Sequence, residues 1–242
     1  MENNDKKDYS KTVNLPKTDF AMKANLPQRE PEFIKKWQDA KIYQKMRAKN
    51  KGKEKFILHD GPPYANGNLH LGHALNKVLK DLVVKYKNMK GFDTPFTPGW
   101  DCHGLPIETQ CLKELKTDKN NVDKKVFRKQ ASDFAKRFVN IQRDGFIRLG
   151  VFADWEKPYL TLDHKYEASI VKVFGELAEK GFLFRKKKPV YWCASCETAL
   201  ADAEVEYADH SSDSIFVKFQ IIELNAGLKG KNLSDYSVLI WT

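Results

Sequence analysis

Two histidines three residues apart, His70 and His73, close a run that reads HDGPPYANGNLHLGH from His59 to His73. On the first turn of a helix that spacing puts both imidazoles on neighbouring positions of one face. They would point at phosphates held by the helix amides and dipole. Gly61 and Gly67 let a ligand approach the backbone, while Pro62 and Pro63 remove two donors and stiffen the turn. No Gly-Lys-Ser/Thr follows, which argues against a Walker loop, and a histidine metal pair on a helix has four-residue spacing. Two solvated histidines at a helix start are the plain alternative. The flanking elements suit the phosphate reading. Phe56, Ile57 and Leu58 have the length of a buried strand, and Leu71, Leu75, Val78, Leu79, Leu82, Val83 and Tyr86 recur at helical steps until Gly91.

Two further groups could do chemistry. Asp101, in Trp100-Asp101-Cys102-His103-Gly104, carries a carboxylate able to pair with an ammonium while accepting its hydrogen bonds; a turn or N-cap aspartate is the alternative. Cys102 and His103 suggest a dyad, but adjacent side chains seldom face each other and no orienting third group is evident. Cys193 and Cys196 form a CxxC, which is a zinc half-site, a redox pair or two structural thiols; a closed zinc site needs four ligands.

Pro63 to His73, PYANGNLHLGH, resembles the histidine signature of the class I aminoacyl-tRNA synthetases, with Leu71 at the usual isoleucine. The match continues through PGWDCHGLPIE (Pro98 to Glu108), RDGFIRLGVFADW (Arg143 to Trp155), PVYWCASC (Pro189 to Cys196) and ALADAEVEY (Ala199 to Tyr207), and is closest to the isoleucyl branch. It covers nearly the whole chain from about Asp19.

The resemblance implies an isoleucine–tRNA ligase, which forms isoleucyl-adenylate from isoleucine and ATP with Mg²⁺ and passes the acyl group to tRNA(Ile). It assigns His70 and His73 to catalysis and to ATP, together with Pro63, Tyr64, Asn66, Gly67 and Gly72. Gly61 and Pro62 would line the isoleucine pocket and Asp101 would take the amino group. Cys193 and Cys196 would be half of a zinc (Zn²⁺) site whose other ligands lie beyond an inserted domain. The implied fold is α/β, a Rossmann-like parallel sheet forming the first half of the catalytic domain, followed by the β-rich start of an inserted editing domain. The boundaries expected are 1–18 for a flexible tail, 19–198 for the catalytic half with its CxxC ribbon, and 199–242 for the entry into the editing domain. The lysine-rich signature and anticodon-binding helices of the family have no counterpart here. The expectation is therefore an N-terminal fragment with little activity alone, from a protein that is monomeric at full length; a stand-alone nucleotide- or tRNA-binding module is the alternative.

The 242 residues suffice for a full core. With 42 basic and 32 acidic side chains the formal charge is +10, which suits a polyanionic partner or simple solubility. Four cysteines without a secretory signal suggest a reduced, cytoplasmic setting, and no apolar run is long enough for a membrane span. Periodicity predicts helices over Glu30–Asn50, Asp123–Leu149, which Gly145 could interrupt, and His164–Lys180, capped by Asp163 and stopped by Gly181. Strands are expected at Phe92–Thr97, Ala203–Tyr207, Ser214–Ile222 and Ser237–Trp241. The first of these, joined to Phe56–Leu58 through a helix, would make a parallel βαβ unit with both ligand loops at the strand ends. Arg185–Lys188 is a basic run suited to RNA phosphate or to solvent.

Overall fold

The computed structural model describes residues 10, 12–14, 24–221 and 236–241, so the tail expected over 1–18 lies almost entirely outside the described residues. The chain divides into two compact units, one up to Leu183 and one from Phe184.

In the first unit α1 (Leu26–Asp39) and α2 (Ile42–Lys49) replace the single helix expected over Glu30–Asn50. The break lies at Lys41, whose φ is 52°. Trp37 and Tyr43 are six residues apart, so on one straight helix they would point about 120° apart. The break lets both rings pack on Phe152, with centroids 5.8 and 6.2 Å away. Arg47 of α2 pairs with Asp93.

The expected parallel arrangement is present, but with little regular ladder. Isolated parallel bridges join Lys55 to Asp93 and Tyr64 to Asp101. The short strand β1 (Gly99–Trp100) pairs in parallel with β2 (Tyr159–Leu160). Residues 56–58 and 94–97 run extended without forming the strands predicted for them. Pro62, Pro63, Pro95 and Pro98 cannot donate to a ladder. Ile57 is 68% exposed, so this segment is not the buried strand that its composition suggested.

Between the first two extended segments runs α3 (Leu71–Met89), ended by Gly91 at φ 100°. Its amphipathicity is used in reverse. The buried residues are Lys77, Asp81, Val84 and Asn88, while Leu71, Leu75, Leu79, Leu82 and Tyr86 are exposed. A helix, α4 (Leu105–Leu115), follows the Asp101 loop where none was predicted. The 25-residue α5 (Lys124–Arg148) begins with Asp123 capping the Val126 amide at 2.9 Å. Gly145 does not interrupt it; a Cβ there would overlap Leu69, so glycine lets the loop before α3 lie against the helix. The main core gathers Trp100, Ile107, Cys111, Phe134, Val139 and Phe146. Last comes α6 (His164–Glu179), with Asp163 at the N-cap position and Gly181 beyond its end at φ 73°.

The second unit holds two antiparallel pairs. β3 (Trp192–Cys193) pairs with β4 (Thr198–Ala199), and β5 (Phe216–Gln220) pairs with β6 (Ser237–Trp241) from Phe216 opposite Trp241 to Gln220 opposite Ser237. No strand forms at Ala203–Tyr207. Glu204 folds back to accept the Ala201 amide at 2.9 Å, which closes a helical turn over Asp202–Glu204. Among the described residues no helix is long and apolar enough to cross a membrane.

Candidate active site

His70 is the N-cap of α3 and His73 its third residue, so the histidine spacing becomes a reciprocal cap. The His70 amide donates to His73 Nδ1 and the His73 amide to His70 Nδ1, both at 3.4 Å. With Nδ1 accepting on each ring, the neutral tautomer carries its proton on Nε2, as a donor. The rings stack with centroids 3.7 Å apart. Burial, then His70 and Lys77, lowers the His73 pKa and favours this neutral form.

The loop before the helix is fixed from behind. Gln142 of α5, fully buried, donates to the carbonyls of Tyr64 at 3.0 Å and Gly67 at 2.8 Å and accepts the Trp100 indole N–H at 3.0 Å. Asn66 donates to the Pro106 carbonyl at 3.3 Å. Asp60, also fully buried, accepts Lys77, Lys80 at 2.7 Å and the Gly99 amide at 2.9 Å. Lys80 also donates to the Gly61 carbonyl at 3.1 Å.

Main-chain bonds bring Asp101 beside this loop. The Ala65 amide donates to the Asp101 carbonyl and the Asp101 amide to the Pro63 carbonyl, each at 2.9 Å. The carboxylate is half-buried, and its Oδ1 accepts the His103 amide and the Thr161 hydroxyl, both at 3.3 Å. Gly61 to His73 and Asp101, found separately in the sequence, thus form one connected constellation: two imidazoles at a helix N-terminus and a half-buried carboxylate.

The family described as tRNA synthetases class I (I, L, M and V) matches residues 32–229. The chain belongs to the class I tRNA synthetases. Curated relatives named isoleucine–tRNA ligase include those of Caldanaerobacter subterraneus subsp. tengcongensis, 59% identical over 237 residues, and Desulforamulus reducens, 58% identical over 235. Each alignment takes in 97% of this chain and 25% of the relative, so the chain spans about a quarter of their length. The solved ternary complex of Agrobacterium radiobacter K84 LeuRS with tRNA and LeuAMS matches with a TM-score of 0.58 at 22% identity, over 76% of this chain and 21% of that one. At that identity it bears on the fold.

Sequence reasoning missed the supporting residues of this class I synthetase site. Asp60, Lys77 and Gln142 are buried polar groups and Lys80 is half-buried, and a hydrophobic pattern assigns such residues to the surface. Tyr159 lies against Gly99, where a Cβ would fall inside its ring. Its hydroxyl donates to the Asp60 carbonyl, and the ring is flanked by His59 and Tyr166 at 5.7 and 5.8 Å. Burial, then Asp60, pushes the phenol up to about 12. Cys102 and His103 make no dyad: the thiol faces the Trp100 carbonyl at 3.7 Å, burial pushes it up to about 12, and His103 Nε2 lies 3.0 Å from the Thr161 carbonyl.

In the synthetase's second unit the Cys196 amide donates to Cys193 Sγ at 3.3 Å and Glu197 turns the chain at φ 52°. Among the described residues no cluster of three or more His, Cys, Asp or Glu side chains is placed to hold a metal.

Proposed function

We propose that the chain supplies the amino-acid and phosphate-binding loops of an isoleucine–tRNA ligase. The observation that carries this reading is the bridge between Tyr64 and Asp101, which ties the half-buried Asp101 carboxylate to a helix N-terminus bearing two imidazoles. The names of the relatives supply the amino acid. Isoleucine places its ammonium on Asp101 and its side chain against Gly61 and Pro62. ATP lies along Pro63, Tyr64, Asn66, Gly67 and Gly72, with Nε2–H of His70 and His73 donating to its phosphates. The isoleucine carboxylate attacks the α-phosphorus and pyrophosphate leaves, so no side chain acts as nucleophile; positioning and charge stabilisation carry the step. Mg²⁺ bound with ATP shares the phosphate charge. The acyl group then passes to the terminal ribose of tRNA(Ile).

On this reading residues 19–198 are the first half of a Rossmann-like catalytic domain and 199–242 lead into an editing domain. That domain holds a second, hydrolytic site, needed because one methylene separates isoleucine from valine only weakly, a limit for which this enzyme class is itself the standard example. The β5–β6 hairpin supports a β-rich start. Cys193 and Cys196 are half of a zinc site; the hydrogen bond that the Cys196 amide donates to Cys193 Sγ suits a metal-bound thiolate. The protein works in the cytoplasm as a monomer.

Binding tests the reading without requiring turnover. Non-hydrolysable sulfamoyl analogues of isoleucyl-, valyl- and leucyl-adenylate are titrated into the chain by calorimetry. The isoleucyl analogue should bind at least roughly tenfold more tightly than the others, and Asp101→Ala should abolish binding. Equal binding of all three would overturn the choice of isoleucine. No binding by a cooperatively folding sample would overturn the assembly of the two loops into one site.

A further inference from the structure

Where α1 and α2 meet the end of α5 and the segment after it, they enclose a cavity of about 180 Å³. Ile34, Trp37, Tyr43, Ile147, Phe152 and Trp155 form most of its wall, and the exposed Gln38 and Gln44 add two side-chain amides. Trp37 and Tyr43 come from either side of the break at Lys41, so the interruption of the helix shapes the cavity. Neither Asp101 nor any residue from His59 to His73 lines it, which separates it from the loops assigned above. Its inner wall is pinned to α3: Asp81 accepts the Phe152 amide at 2.9 Å and Lys85 donates to the Gly150 carbonyl at 3.1 Å.

No side chain of the lining carries a charge. Tyr43 is its one titratable group, and burial raises the pKa of that phenol, so it stays protonated. Two neighbouring cations are already matched within the protein: Lys85 lies over the Phe152 ring at 4.0 Å and pairs with Asp81, and Arg47 pairs with Asp93. The Val151 carbonyl is occupied as well, by the Trp155 indole N–H at 3.3 Å. A charged ligand would therefore lose its water without gaining a counter-charge. Tyr43, Gln44, Ile147 and Trp155 also line a groove of about 980 Å³, which gives a ligand its way in. That groove carries both signs, Arg47, Lys51 and Lys55 with Asp93, Asp154 and Glu156, so it does not select a charge.

We propose that this cavity binds a small neutral aromatic molecule, one ring bearing one hydrogen-bonding group, as in a phenol. Size sets the single ring: a dry apolar cavity of roughly 150 Å³ takes benzene, and the further volume here leaves room for one polar substituent. The wall sets its aromatic character. Trp37 and Tyr43 already pack on Phe152 at 5.8 and 6.2 Å, and a ligand ring between Trp37, Tyr43, Phe152 and Trp155 finds the same edge-to-face and offset contacts. The substituent meets the Gln38 and Gln44 amides, each of which can donate or accept. A ligand seated there touches α1, α2 and the segment pinned to α3 at once, and so clamps the helix pair onto the domain.

The test is ligand-observed fluorine NMR of 4-fluorophenol with the 242-residue chain at neutral pH. Binding should saturate, phenol should displace the probe, and cyclohexanol and benzoate should compete at least roughly tenfold less well, one for lack of a ring face and the other for its charge. Ile34→Trp fills the cavity from α1 and should weaken binding by a factor of about 10 or more, whereas Lys35→Trp, on the exposed side of the same helix, should leave it unchanged. Gln38→Leu/Gln44→Leu alters only exposed side chains, so the chain keeps its fold. It should weaken 4-fluorophenol by roughly fivefold, the loss of one hydrogen bond, and leave fluorobenzene as it was. Denaturation midpoints show which variants fold; should Ile34→Trp not fold, the double glutamine variant decides. Absence of saturable binding, equal competition by phenol and benzoate, or an unchanged affinity for 4-fluorophenol in a folded Ile34→Trp or Gln38→Leu/Gln44→Leu protein would overturn the proposal.

Discussion

The Lys77 ammonium meets the Asp60 carboxylate where both side chains are almost completely buried, 1% and 0% exposed. The lysine is also ringed by Phe146, Phe96 and Trp100, with centroids 5.1, 5.8 and 5.9 Å away. The Asp60 carboxylate receives the Gly99 amide at 2.9 Å as well, so one ion pair ties the start of α3 to the strand that leads to Asp101.

Breaking the pair from one side should therefore cost more than removing it. Asp60→Asn leaves a buried ammonium without its counter-charge, and a loss of about 3–5 kcal/mol is expected in chemical denaturation. Lys77→Met with Asp60→Asn should recover part of that loss, because no uncompensated charge remains. A double variant no more stable than Asp60→Asn would show that Lys77 is not buried with its charge.

Gly99 has a tighter constraint than its turn-like sequence suggests. A Cβ at this position would fall inside the Tyr159 ring, which is held between His59 and Tyr166. Gly99→Ala should cost about 1–3 kcal/mol through overpacking, and Tyr159→Ala in the same chain should reduce the additional cost of the alanine. If the two losses simply add, the ring does not rest on Gly99.

Acidification should destabilise the chain through His73. Its folded pKa is lowered by burial, then by His70 and Lys77. Between that lowered value and the ordinary value of about 6.5, the unfolded chain holds a proton that the folded one lacks. Stability therefore rises with pH across this window and falls as the pH drops through it. His73→Gln should flatten the dependence of the denaturation midpoint as the pH falls below about 6.5. Identical slopes in both proteins would remove His73 as the source.

The sequence shows the ends of α3, because His70, Gly91 and the intervening periodicity are local signals. It does not show which face of α3 is inside. The apolar residues at 71, 75, 79 and 82 are exposed, and the buried face is built on Lys77 and Asp81, each with a partner far along the chain. Asp81 accepts the Phe152 amide at 2.9 Å, a contact spanning 71 residues. The prolines at 62, 63, 95 and 98 interrupt the ladders that the apolar runs at 56–58 and 92–97 suggest. Asp101 is visible as a motif residue, whereas the group that orients it lies 60 residues away.

That group is Thr161. Its hydroxyl accepts the Cys102 amide at 2.9 Å and donates to Asp101 Oδ1 at 3.3 Å, while its own amide donates to the Trp100 carbonyl at 3.2 Å. The hydroxyl thus sets the rotation of the carboxylate, and the main-chain bond sets where the hydroxyl sits. Thr161→Val keeps the shape and the main-chain bond but removes the donor, leaving the Cys102 amide without its acceptor. A hydrogen bond to a charged group is worth about 1.5–3 kcal/mol, so isoleucyl-analogue binding should weaken roughly 10- to 100-fold. Thr161→Ser should restore most of it, because the serine hydroxyl can occupy the same place. Calorimetric titration of the three proteins decides the matter. Valine and serine variants that bind alike would mean that the side chain acts by packing, and that the main chain alone holds Asp101 in its productive orientation.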